Sequence, residues 1–291
     1  MMDTMPDSDP YLEHRRLLFA TAYQMLGSVA DAEDVLQDAW LAWNAADRAA
    51  VRQPRAYLVR MVTNLSLNRL TSARATRETY VGPWLPEPLL TSPDVAGESE
   101  LADTVSTALM VVLETLSPVE RAVFLLRESF GYSYAEIAGI LERPEPTVRQ
   151  IAHRAREHVQ ARRPRFDSDR AQRELVTARF IAACSGGDLN AVMELLAPEV
   201  TAWSDGGGKV TAARRPLYGP DHVGRWMLGV MAKPQVAGAA LRPATINGEL
   251  GVLVTVEGAA VGALTYDLVD GRIRNLRLQV NPDKLGGLHR P

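Results

Sequence analysis

Three consecutive segments, LSPVERAVFLLRESFG, SYAEIAGIL and PTVRQIAHRAREHV, constrain the fold of this chain more than any other feature. In the first, Ser117 is an N-cap, Pro118 opens the helix and Glu120 completes a capping box. Val119, Ala122, Val123, Leu126 and Phe130 form its apolar stripe, and Gly131 stops it. Ser133 and Glu136 repeat the capping logic, with Ile137, Ala138 and Leu141 expected inside. After a short turn, Val148, Ile151, Ala152, Ala155 and Val159 face inward, leaving Thr147, Arg149, Gln150, His153, Arg154 and Arg156 outward. A short helix, a tight turn and a basic helix make a helix-turn-helix. Arginine and glutamine can pair with base edges while the other cations meet phosphates. A plain helical hairpin, with His153 a surface residue, is the weaker alternative.

The 291 residues carry a formal net charge of −3, so bulk charge does not announce nucleic-acid binding. Its distribution does more. Residues 1–50 hold nine acids against three bases, whereas residues 151–165 hold five arginines against Glu157. Cys184 is the only cysteine, which excludes an intramolecular disulfide and a cysteine-cluster metal site. No apolar run reaches membrane-spanning length and the acidic N-terminus is not signal-like, so the expected location is cytoplasmic, with no membrane partner.

Two segments break the helical patterning, TYVGPWLPEPLLTSPDVAGES, which is rich in Pro and Gly, and RRPRFDSD, and they divide the chain into three modules. The first module is helical. SVADAEDVLQDAWLAW enters through Ser28 and buries Val35, Leu36, Ala39, Trp40 and Trp43, while Asp34, Gln37, Asp38 and Leu41 recur on another, mainly acidic face. PRAYLVRMVTNLSLNRLTSARATR buries Leu58, Met61, Val62 and Leu65, and lines a second face with Arg60, Asn64 and Asn68, followed by Arg69, Arg74 and Arg77. Each face taken alone also fits a solvated surface.

Together, DAEDVLQDAW, the Arg60–Asn68 helix, SPVERAVFLL and SYAEIAGIL followed by TVRQIAHRAR resemble the extracytoplasmic-function (ECF) sigma factors, in family order over roughly residues 10–163. The resemblance implies two all-helical domains and two partners, core RNA polymerase (clamp helices and flap) and promoter DNA. Asp31, Asp34, Gln37, Asp38 and Leu41 then fall on the polymerase-binding surface. Arg60, Asn64, Asn68, Arg69 and Arg74 fall where the family meets the opened −10 strand, and Thr147, Arg149, Gln150, His153, Arg154 and Arg156 on the −35 reader. One departure stands out: the turn ILERPEPTV has Glu142 where such turns usually carry glycine and Arg143 where a small apolar residue is usual.

Beyond residue 165 the pattern becomes mixed. Helices RAQRELVTARFIAAC, LNAVMELL and GPDHVGRWMLGVM precede strands LRPATI, LGVLVTV, GALTYDLV and RIRNLRLQV, joined by tight turns at Asn247-Gly248 and Asp270-Gly271. This order suggests an α+β cone with a curved antiparallel sheet. The segment resembles the SnoaL-like cone domains. WLPEP (Trp84, Leu85, Pro86, Glu87, Pro88), DGGGK (Asp205, Gly206, Gly207, Gly208, Lys209) and NPDKL (Asn281, Pro282, Asp283, Lys284, Leu285) resemble signatures of sigma factors with such a domain fused to them. DGGGK is not a phosphate-binding loop: Val210 stands where Ser or Thr is required, and Asp205 would repel a phosphate. Its glycines instead suit close approach of another segment, for which Trp84 in the linker is a candidate and Glu87 offers a charge for Lys209.

The expected organisation is therefore multidomain: two all-α sigma domains, the second a helix-turn-helix, followed by an α+β SnoaL-like cone. The boundaries are 8–78 for the polymerase-clamp and −10 domain, 79–103 for the linker, 104–163 for the −35 domain and 168–286 for the cone. The expected function is a sigma factor regulated by its own C-terminal domain, with no separate anti-sigma factor, no catalytic residue, no metal and no cofactor. The alternative is a helix-turn-helix regulator with a ligand-sensing or enzymatic cone, in which His222, Asp267, Tyr266 or Trp203 would line a small-molecule pocket.

Overall fold

The computed structural model describes residues 9–91, 105–162 and 169–288. Contacts divide the chain into two units: residues 1–76, 97–105 and 112–162 form the first, and 77–96, 106–111 and 163–291 the second.

The first unit is helical. Helix α1 (Pro10–Leu26) is capped by Asp9 and ends at Gly27, whose φ of 68° provides the left-handed stop. Helix α2 (Val29–Ala45) starts where the Ser28 hydroxyl accepts the Asp31 amide hydrogen bond, and buries Val35, Leu36, Ala39 and Trp43. Helix α3 (Pro54–Glu78) buries Leu58, Val59, Val62 and Leu70. After α4 (Thr107–Leu113), which spans both units, α5 (Pro118–Phe124) and α6 (Tyr134–Leu141) each carry a complete capping box. The second half of the first long segment, Leu125–Ser129, winds as a π turn. Helix α7 (Glu145–Arg162) buries Val148, Ile151, Ala152, Ala155 and Val159. In α6 the second inward position is Ile140, three residues after Ile137, rather than Leu141, the last residue of the helix, which is half-buried, as is Ala138.

The second unit contains α8 (Arg170–Gly186), α9 (Leu189–Leu195), α10 (Pro220–Met231) and one six-stranded sheet. Its strands are β1 (Leu196–Asp205), β2 (Leu217–Tyr218), β3 (Ala240–Ile246), β4 (Glu249–Val256), β5 (Ala259–Val269) and β6 (Arg272–Gln279), in the spatial order β2-β1-β6-β5-β4-β3. The sheet is mixed rather than antiparallel, since β1 pairs parallel with β6. Strand β1 is hard to read from its residues because it contains Pro198 and slips register between Leu196 and Thr201. Three hairpin turns carry paired positive φ values, at Asn247-Gly248, Glu257-Gly258 and Asp270-Gly271. One face of the sheet packs Leu264, Tyr266, Leu276 and Leu278 with Val176, Phe180 and Met227 of the helices. On the other, Ile246, Ala260 and Ala263 meet Leu285 and Leu288 of the C-terminal segment. Asp205 closes β1, and Gln279 closes β6 directly beside it.

Candidate functional site

The ends of β1 and β6 form a dock for the linker, built around one buried carboxylate. Asp205 is fully buried at the mouth of the glycine loop. Its Oδ2 accepts hydrogen bonds from the Leu85 amide at 2.9 Å, Gln279 Nε2 at 3.2 Å and Lys284 Nζ at 2.7 Å. Its Oδ1 accepts from the Tyr80 hydroxyl at 2.5 Å and the Gly207 amide at 3.1 Å. A charge removed from water is costly unless paired and fully hydrogen-bonded, and here the linker supplies part of that satisfaction.

Lys284 is the complementary cation. Its ammonium also donates to the Leu85 carbonyl at 2.8 Å, and lies 4.2 Å from the Trp84 ring centroid and 4.8 Å from that of Tyr80. Gln279 Nε2 reaches the Leu85 and Pro86 carbonyls at 3.3 and 3.4 Å, and Asn281 Nδ2 donates to the Tyr80 hydroxyl at 2.9 Å. Burial, and then the Asp205 carboxylate, push the Tyr80 hydroxyl well above the ordinary phenol range, so it remains a donor.

Further along, the linker extends the sheet edge. Leu90 forms a bridge to Ile246, the Asn247 amide donates to the Leu89 carbonyl at 2.9 Å, and the Leu89 amide donates to Asn247 Oδ1 at 2.7 Å. The Thr91 amide donates to the Thr245 carbonyl at 2.9 Å. Residues 85–89 are all buried. The glycines make room for this arrangement: a Cβ at Gly207 (φ 59°) would land on the Asn281 amide, and one at Gly208 (φ 73°) would press on Val81.

In the first unit, Asp34, Gln37, Asp38 and Leu41 are exposed along α2, Leu41 at 60%. Asp31 is half-buried and accepts from Arg69 Nε at 2.9 Å, and Asp34 pairs with the same guanidinium. On α3, Arg60, Asn64 and Asn68 share an exposed face. On α7, Arg149, Gln150, His153 and Arg154 are exposed, and Thr147 and Arg156 half-buried. The Arg149 guanidinium sits 4.7 Å from the Tyr134 ring centroid, with Arg127 at the same distance. Arg156 pairs with Glu128 at 2.6 Å.

The sigma-70 region 2 family matches residues 11–76, and the sigma-70, region 4 family matches residues 106–159. The ECF RNA polymerase sigma factor SigJ of Mycobacterium tuberculosis is 40% identical over 287 residues, spanning 94% of this chain and 91% of that protein. The chain belongs to the ECF RNA polymerase sigma factors. The probable ECF sigma factor SigI of the same organism is 32% identical, covering 97% of this chain and 96% of its own length. The crystal structure of Mycobacterium tuberculosis SigJ superposes with a TM-score of 0.75 at 37% identity, covering 95% of this chain and 97% of that one. This sigma factor therefore acts in promoter-specific transcription initiation, with core RNA polymerase and promoter DNA as its partners.

Within the sigma factor, the structure brings together Trp84–Pro88, Asp205–Gly208 and Asn281–Leu285, three segments far apart in sequence. The pairing between Glu87 and Lys209 that the residues suggest does not form. Lys209 meets Asp283 at 2.7 Å on the surface, and the cation facing the linker is Lys284, while Glu87 is buried. Pro282 and Asp283 are exposed, and Pro282 starts the short turn that presents Lys284. Arg69 belongs with Asp31 and Asp34 of α2 rather than with a free row of cations on α3. The Arg74 side chain lies outside the described residues.

None of the four candidates lines the apolar cavity found among the described residues of the C-terminal domain. That cavity, about 40 Å³, is lined only by apolar residues, including Phe180, Cys184, Met227, Val252, Leu264 and Leu278. Asp267 is held by Arg277 at 2.7 and 3.2 Å and by Asn275 at 2.9 Å, Tyr266 pairs with Thr177, and His222 is exposed. Trp203 lies against Arg277, 5.8 Å from ring centroid to guanidinium. Burial pushes the Cys184 thiol up to about 12, which keeps it protonated and unreactive. Gln279, central to the dock, was not legible as a site residue, because from the sequence it reads as an outward strand position.

Proposed function

We propose that this sigma factor is regulated by its own C-terminal domain, which grips the linker between the two DNA-reading helical domains in place of a separate anti-sigma factor. The observation that carries this reading is the satisfaction of buried Asp205 by both the linker amide of Leu85 and the C-terminal Lys284. A linker held by one buried ionic centre and a sheet edge has a fixed path over residues 80–91. Two promoter readers joined through such a linker explore a narrower range of separations than readers joined by a free one.

The acidic face of Asp34, Gln37, Asp38 and Leu41, with Asp31 behind it, binds the polymerase clamp. Arg60, Asn64 and Asn68 meet the opened −10 strand, and Thr147, Arg149, Gln150, His153, Arg154 and Arg156 read the −35 element. The C-terminal domain performs no chemistry, a reading supported by a cavity lined by apolar side chains and by one thiol, Cys184, that burial keeps protonated. The test is in vitro transcription with purified core polymerase over a panel of promoters, comparing wild type with Trp84→Ala. The variant is expected to bind core polymerase as wild type does and to change promoter-specific output; unchanged output on every promoter refutes regulation through the dock.

A further inference from the structure

The glutamate that replaces glycine in the helix-turn-helix turn has a partner on the −10 face. Glu142 adopts φ 51° and ψ 47°, the left-handed conformation that disfavours any residue with a Cβ by about 1–2 kcal/mol. Its carboxylate is ion-paired with Arg60, the first residue of the exposed Arg60–Asn64–Asn68 row on α3. A second contact between the same two helical domains is buried. Arg121 of α5, 2% exposed, donates from Nε and Nη2 to the Gln24 carbonyl in the last turn of α1, at 3.2 and 3.0 Å, and also pairs with Glu114. The carbonyl end of a helix is a favourable place for a cation. The Arg55 guanidinium adds a third approach, 5.9 Å from the Tyr132 ring.

These contacts place the −10 reader directly against the turn of the −35 reader. Elements nominally ~25 base pairs apart are separated by ~85 Å of duplex at 3.4 Å per base pair. Domains held together by these contacts cannot occupy both. We infer that Glu142 and Arg60 form an electrostatic latch that holds the two promoter-reading domains in a closed, inactive arrangement, with Arg121 as the buried hinge contact beside it. The inference rests on the reading of α3 and α7 as promoter readers. It concerns a contact separate from the linker dock, and it gives the unusual glutamate a role: closing the latch also covers a cation that promoter DNA would otherwise meet.

The experiment uses the full chain with dyes on Ala45→Cys and Gln160→Cys, exposed positions in the two domains; the native Cys184 is buried. Inter-dye distances are measured on the free protein, and transcription is measured with limiting core polymerase. Glu142→Gly suits the positive φ, so it removes the carboxylate without harming the turn; Glu142→Gln keeps the side-chain length. Both are expected to raise the long-distance population and the promoter-specific output by about two- to five-fold, the range an exposed pair can supply. Glu142→Arg should open the chain further, and Arg60→Glu in the same chain should restore the short distance. Unchanged distance distributions in Glu142→Gly and Glu142→Gln would overturn the latch. Because distances are read without polymerase, a failure to bind core polymerase would count against the promoter-reader assignment and not against the closed contact.

Discussion

Lys284→Met is the perturbation that isolates the linker dock. The side chain of Lys284 is 11% exposed and that of Asp205 fully buried, so the substitution leaves a buried carboxylate without its cation. Breaking such a pair from one side typically costs about 3–5 kcal/mol. Four donors remain on Asp205, from Leu85, Tyr80, Gln279 and Gly207, which places the expected loss near the lower end. Methionine retains much of the apolar packing against Trp84 and Tyr80 but forfeits the attraction of the ammonium for both rings. A loss of about 3 kcal/mol corresponds to an acceleration of about 150-fold in exchange from the opened linker. Amide hydrogen exchange read residue by residue should therefore show the Leu85 amide losing protection by about that factor, while Leu276 and Leu278 in the sheet core change little. Equal protection of Leu85 in the two proteins would show that the Asp205–Lys284 centre does not hold the linker.

Gly207→Ala should lower the melting temperature of the C-terminal domain by about 4–10 °C, from about 2–3 kcal/mol of left-handed strain and displacement of Asn281, as read by calorimetry. Cys184 should resist a thiol reagent at pH 8 in the folded chain and react only as the domain unfolds, since burial holds its pKa at about 12. Hydrogen bonds from the Ser117 hydroxyl and amide lower the Glu120 carboxyl, against a smaller opposing effect of burial. Its folded pKa lies below the unfolded one, so its contribution to stability is complete above the ordinary carboxylate range and is lost as pH falls through the folded value. Glu120→Gln should accordingly flatten the acid limb of a denaturation curve and leave its neutral limb less stable.

The helical half was largely legible because its signals are local. Ser117 with Glu120, and Ser133 with Glu136, fix two helix starts within four residues each, and the structure contains both capping boxes. The mixed sheet was less so. Asn-Gly and Asp-Gly mark two hairpins, but the third turns on Glu257-Gly258, and β1 joins the sheet through a parallel pairing with a strand some seventy residues away that no local pattern announces. The dock shows the same division. Trp84, the glycine loop and the NPDKL segment stand out by composition, whereas the charge pairing does not: Lys209 and Lys284 are both near the loop, and only the short turn from Pro282 to Lys284 decides which one faces the linker. The contact of Glu142 with Arg60 joins residues 82 positions apart, beyond the reach of periodicity.

The C-terminal grip on the linker is proposed to govern how far apart the two promoter readers can act. The direct measurement is in vitro transcription by wild type and Lys284→Met on promoters whose spacing between the −35 and −10 elements is varied one base pair at a time. A narrow spacing preference in wild type that broadens in the variant, at equal affinity for core polymerase, is the predicted result. The same spacing profile for both proteins, with release of the Leu85 amide confirmed in the variant, would contradict it.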